Sequence, residues 1–181
     1  MSQPPPRTGF VTVTAMISVV LAAIAVVTSA LLVMFAAAIP DIPAPPPTGP
    51  EAILNRFMWI LDYRVALTTA QLALALVFLA ASWGLLRRRE WGRWLFIGLL
   101  VLTALGNFAG LVLVNPLFDG LIDMYPAQLL ESPDGAQLLA QMQFSKRITF
   151  ITTALGAVGL AALHGWLAWK LCTPEVRAEF S

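Results

Sequence analysis

Four stretches of this chain, residues 10–39, 65–86, 94–114 and 148–169, contain no Asp, Glu, Lys or Arg. At about 1.5 Å of rise per residue, a helix of roughly twenty residues covers a hydrocarbon core about 30 Å thick. In lipid the backbone must satisfy its own polar groups, so runs of this length fold as spanning helices. The pattern predicts an all-α, polytopic membrane protein built as an antiparallel four-transmembrane-helix bundle. Composition agrees: 12% of the 181 residues are charged, against about 25% in a soluble domain. Spans and connectors use nearly the whole sequence, which predicts one membrane domain over residues 1–181.

Lys and Arg in short loops mark the cytoplasmic side. Arg7, the turn 87–93 with Arg87, Arg88, Arg89 and Arg93, and the trailing Lys170 and Arg177 put seven basic residues on one side. Arg56, Arg64, Lys146 and Arg147 put four on the other, where most of the acids also lie. Both termini are therefore expected in the cytoplasm. A cleaved signal peptide is the rival for the first span, because Ala36-Ala37-Ala38 offers an A-x-A site. The apolar run before it is about twice the usual signal length, which favours a retained span.

The connectors 40–64 and 115–147 form the outer loops. The first opens with six prolines between Pro40 and Pro50, which run as polyproline II. Ile53, Phe57, Ile60 and Leu61 then share a helical face, an amphipathic surface helix leading into span two. In the second, Ser132-Pro133-Asp134 is a helix-start signal, followed by Leu138, Leu139, Met142 and Phe144 at near-helical spacing. A short amphipathic helix is thus expected in each outer loop. Trp83, Trp91 and Trp94 flank the arginine turn, the boundary arrangement of indoles at headgroup level beside basic residues that meet anionic lipid.

The segment Trp83-Gly-Leu-Leu-Arg-Arg-Arg-Glu-Trp-Gly-Arg-Trp-Leu-Phe resembles a turn found in small bacterial inner-membrane proteins with four spans and unknown function. There an apolar helix ends in a basic run, followed by Trp, a small residue and Arg before the next helix. The resemblance covers about fifteen residues of the 181. It implies a span count and a bacterial inner membrane as host, and no activity or site residue. Arg used in preference to Lys, beside abundant Ala, Leu and Gly, suits a bacterial genome rich in G and C.

Close approach of small residues drives helix packing in lipid. Span one carries Ala15, Ser18, Ala22, Ala25 and Ser29 on a stripe, and span two carries Ala66, Ala70, Ala73, Ala80 and Gly84. Span three holds Gly106 and Gly110, a G-x-x-x-G pair that serves the bundle or a homodimer. Span four offers Ala154, Ala161, Gly165 and Ala168. Gln71 and Asn107 fall at similar depth and are expected to bridge their helices through an amide hydrogen bond worth about 0.6 kcal/mol.

Chemistry is sparse. No span contains a charged side chain, and proton relays and ion-coupled carriers usually need one. His164 is the single histidine. Haem and zinc sites draw on more histidine or cysteine than one of each, so His164 is expected to be a hydrogen-bonded packing residue, and no cofactor is expected. Asp119 and Asp123 share a face if helical, yet two acids alone make no cation site. Thiol oxidases need cysteine pairs, and the chain has only Cys172. With a net charge of +1, nucleic acid is not an expected partner. The residues point to a non-enzymatic inner-membrane protein in contact with lipids and another membrane protein. The alternative is an oligomeric carrier or channel for a neutral or apolar solute, lined by Gln71, Asn107, Thr68, Thr69 and Thr152.

Overall fold

The computed structural model describes residues 9–40, 61–123, 125 and 127–180, and every regular element among them is helical. In chain order these are α1 (Gly9–Ala38), α2 (Arg64–Leu86), α3 (Glu90–Asp123), the one-turn α4 (Ala127–Leu130), α5 (Pro133–Leu171), α6 (Pro174–Arg177) and a 3-10 turn (Ala178–Phe180). Each of α1, α2, α3 and α5 is long and apolar enough to cross a membrane, which is compatible with a multi-pass membrane protein. Arg7, the proline-rich connector and the surface helix expected before Leu61 lie outside the described residues.

Two helices run well past their charge-free cores. α3 has 34 residues and α5 has 39, roughly 51 and 58 Å of axis. The short helix expected in the second outer loop is therefore not a separate element, and this corrects the sequence reading. The start at Ser132 is real: its Oγ accepts the Gly135 N–H at 3.0 Å and donates to the Leu129 carbonyl at 2.6 Å. A Cβ on Gly135 would collide with the Leu129 carbonyl, so the α4–α5 corner requires glycine. Past that corner no proline interrupts the chain until Pro174, and the helix continues into the last apolar run. α3 even passes through Pro116, whose missing N–H leaves the Val112 carbonyl without its usual helical donor.

By internal contacts the described chain divides into two compact units, one of residues 9–40, 63–103 and 163–180, the other of 61–62, 104–123, 125 and 127–162. In the first, α1 and α2 pack along one another. The Arg64 guanidinium at the start of α2 donates to the Ala36 and Ile39 carbonyls at the end of α1, at 3.0 and 2.7 Å. The α2–α3 hairpin closes on a pair of glycines: a Cβ on Gly92 would lie 2.5 Å from the Gly84 carbonyl carbon and 2.6 Å from its Cα. Further along the hairpin the Phe78 and Phe96 rings stack with centroids 5.6 Å apart. The core of this unit joins Val11 and Ala15 of α1, Ala81 and Leu85 of α2, Phe96 and Leu99 of α3, Leu171 of α5 and Val176 of α6.

α1 is patterned for lipid rather than water. Ala15, Ser18, Ala22 and Ser29 are buried, while Val13, Met16, Ile17 and Val20 are 56–58% exposed. Small and weakly polar side chains face the protein, where backbones approach closely, and large apolar ones face outward. The stripe expected in α2 does not hold. Ala66, Ala70, Ala73 and Ala80 are exposed; of the expected stripe only Gly84 is buried, together with Ala75, Ala81, Ser82 and Leu85. Alanine occurs all round this helix, so the stacking of Phe78 and the Gly84–Gly92 contact choose the inner face.

In the second unit the 104–123 half of α3 lies beside α5. The Lys146 ammonium meets the Asp119 carboxylate at 2.7 Å, and a Cβ on Gly110 would sit 4.0 Å from the Thr153 methyl.

Candidate functional site

Two regions of the first unit gather polar side chains. The first is a cavity of about 300 Å³ between helices. Its walls are mainly apolar, with Ala25 from α1, Leu74, Ala75 and Phe78 from α2, and Leu99 and Leu100 from α3. Ser29, Gln71, Thr103 and His164 supply the polar groups, one from each of the four long helices. Two of the three polar residues singled out in the apolar runs thus line one cavity. The His164 Nδ1 is buried and makes no hydrogen bond among the described residues, unlike the bonded packing histidine expected. A ring nitrogen left this way costs about 1–3 kcal/mol, a cost that a ligand hydroxyl or amide would relieve. Asn107 belongs to the second unit, and its buried Nδ2 also lacks a partner among the described residues. Neither unit by itself carries the expected Gln71–Asn107 bridge.

Two of the three threonines expected as lining spend their hydroxyls locally. Thr68 Oγ1 donates to the Arg64 or Val65 carbonyl at 2.8 or 3.2 Å, and Thr152 Oγ1 to Ile148 or Thr149 at 2.9 or 3.1 Å. This bonding to the preceding turn is the usual fate of helical threonine. Ser29 and Thr103 were not among the lining residues expected from sequence, and only a helix register could have identified them.

The second region is the arginine turn. α2 ends in a Schellman motif: the Arg88 N–H bonds the Leu85 carbonyl at 3.1 Å and the Arg89 N–H bonds Gly84 at 2.9 Å. Arg88 holds the left-handed position with φ +56°, where glycine is the usual occupant. That conformation costs a non-glycine residue roughly 1–2 kcal/mol. Its side chain offsets the cost by reaching both ends of the chain. Arg88 Nη2 donates to Thr12 Oγ1 at 2.9 Å, and Arg88 Nε pairs with the Glu179 carboxylate at 2.9 Å, with the Glu179 side chain 2% exposed.

Arg93 is the largest fully buried side chain among the described residues. Its Nη1 donates to the Leu171 carbonyl at 3.3 Å, at the end of α5, and Nη2 meets Glu90 at 3.4 Å. The guanidinium lies 4.8 Å from the Trp94 ring centroid and 5.7 Å from that of Phe180, cation–π geometry for both rings.

The four arginines therefore separate into two kinds. Arg87 and Arg89 are exposed, Arg87 lying over the Trp83 ring at 4.9 Å. Arg88 and Arg93 turn inward onto residues 171–180. Trp83, Trp91 and Trp94 remain 47–55% exposed. Glu179, Phe180, Gly92 and Thr12 were missed in the sequence. Of these, only the glycine within Trp91-Gly92-Arg93 gave a signal, as a small residue between two large ones.

Gly106 has no atom within 4 Å of where a Cβ would stand, and Gly110 makes only ordinary contact with Thr153 of α5, so within the second unit the G-x-x-x-G pair forms no close helix crossing. Among the described residues no group of three or more His, Cys, Asp or Glu could hold a metal ion. Compared with family models, curated proteins and solved structures, the chain matches none of them.

Proposed function

We propose that this chain is a bacterial inner-membrane protein, an antiparallel four-transmembrane-helix bundle with both termini cytoplasmic. It works without catalysis, through contact with another membrane protein. The observation behind this reading is the set of open glycines on the long helices. Gly98 and Gly106 on α3, and Gly156, Gly159 and Gly165 on α5, have nothing within 4 Å of a Cβ position. Such faces let a second helix approach closely, and close approach is the main attraction between helices in lipid. Meanwhile Arg88, Arg93 and Lys146 serve the chain's own fold. Affinity isolation from mild detergent with mass spectrometry tests the reading. A reproducible protein partner, or a homodimer through Gly106 and Gly110, is expected; isolation as a lone monomer refutes it. Cys172, exposed and the only thiol, tests the orientation: an impermeant maleimide should label it only after the inner membrane is opened.

A second reading, a carrier or channel for a neutral or apolar solute, is favoured by the cavity of about 300 Å³ and its Ser29, Gln71, Thr103 and His164 lining. That volume is at the lower end of small-molecule sites. Flux of small neutral solutes into liposomes containing the protein tests it, and flux equal to empty liposomes rejects it.

A further inference from the structure

The second unit contains a cleft of about 560 Å³ between α3 and α5 that neither functional reading uses. Its polar wall holds Asn115 and Asp119 from α3 and Gln143, Lys146 and Arg147 from α5. Its apolar wall is Ile122, Phe150 and Ile151. The Lys146–Asp119 pair at 2.7 Å neutralises itself. Arg147 is exposed and makes no ion pair or hydrogen bond among the described residues. The cleft therefore carries one uncompensated positive charge beside two side-chain amides.

Its position along both helices is defined. Asn115 closes the apolar span 94–114 of α3, four residues before that helix's next charge at Asp119, and Arg147 directly precedes the charge-free run of α5. Helices of this composition change from water to hydrocarbon at those points. The cleft thus has its charge at headgroup level, with Phe150 and Ile151, 42% and 52% exposed, on the hydrocarbon side.

We propose that this cleft binds one anionic phospholipid. The phosphodiester oxygens meet the Arg147 guanidinium, a planar fork suited to phosphate, while the Asn115 and Gln143 amides donate to remaining headgroup oxygens. An acyl chain lies along Phe150 and Ile151. Charge complementarity selects the lipid. A zwitterionic headgroup brings its own cation beside an arginine that is already unmatched, whereas an anionic one cancels that charge. The inference rests on the membrane reading and needs no protein partner.

The test is native mass spectrometry of the full chain in neutral detergent, titrated with phosphatidylglycerol or phosphatidylcholine. One arginine at a membrane surface is worth a preference of about fivefold for the anionic lipid. Arg147→Ala should abolish that preference, and Arg147→Lys should keep most of it. Arg147 is exposed and unpaired among the described residues, so neither change threatens the fold. Inorganic phosphate in excess should not displace the lipid. Equal binding of the two lipids, undiminished preference in Arg147→Ala, or displacement by phosphate would each overturn the assignment. A chain that stays dissolved without detergent would instead sink the membrane reading itself.

Discussion

The Gly84–Gly92 contact sets up a sharp comparison between two alanine substitutions. A Cβ at residue 92 stands 2.5, 2.6 and 2.7 Å from three backbone atoms of Gly84 and Leu85. Ordinary contact begins near 3.4 Å, so the two helices must separate by most of an ångström. No flexible side chain can yield, because every clashing atom is backbone and the turn 87–89 ties the helices a few residues away. Overpacking of this kind costs about 3 kcal/mol, the upper end of its range. The better helix propensity of alanine returns up to about 1 kcal/mol, which leaves Gly92→Ala about 2 kcal/mol less stable. Within a single chain Gly106→Ala makes the same chemical change with no atom within 4 Å, so only the propensity term acts, and the detergent-dispersed monomer should be neutral or slightly stabilised. Unfolding by sodium dodecyl sulfate in mixed micelles, followed by tryptophan fluorescence, measures both variants. Gly92→Ala as stable as the parent would refute the hairpin geometry.

Three further outcomes are expected. Arg93→Ala should lose about 2–4 kcal/mol in the same titration, through a bare Leu171 carbonyl and lost packing against Phe180, and Arg93→Lys should not restore it because an ammonium lacks the planar fork. Glu179→Ala should free the tail from Arg88 and raise the rate of tryptic cleavage after Arg177 about tenfold, a 1.4 kcal/mol change in local opening, read by limited proteolysis. His164→Leu removes a buried nitrogen without a hydrogen bond among the described residues and fills part of the cavity, so stability should hold or rise by up to about 1 kcal/mol; on the carrier reading, solute flux into liposomes should fall.

The four long apolar helices were legible because a run of about twenty residues without charge suits few surroundings besides lipid. The inner face of α1 was legible too, since its small and hydroxyl-bearing residues fall on one stripe. α2 offered no such contrast. Its alanines surround the axis, and the buried side follows from Phe78 and from contacts with Gly92. Overrun of α3 and α5 was hidden for a different reason. Apolar periodicity reports what lies in lipid, while a helix stops only at a capping or breaking residue, and the acids at 119, 123 and 134 do neither. Which arginines point inward depends on the distant tail. Arg88 and Arg93 look no different in sequence from Arg87 and Arg89 until Glu179, Phe180 and the Leu171 carbonyl are brought to them. The shared cavity of Gln71 and His164 is of the same kind, because it depends on the rotation of the helices about their axes.

The inward arginines have a consequence for biogenesis. On the proposed topology, the translocation machinery counts positive charge while the polypeptide is still emerging, and Arg88 and Arg93 are half of that count in the tight bend. Later the same two guanidinium groups are withdrawn from solvent and clasped by the tail. Neutralising them to invert the protein in its membrane would therefore also dismantle the assembly being inverted, whereas Arg87 and Arg89 could be exchanged with the interior left intact.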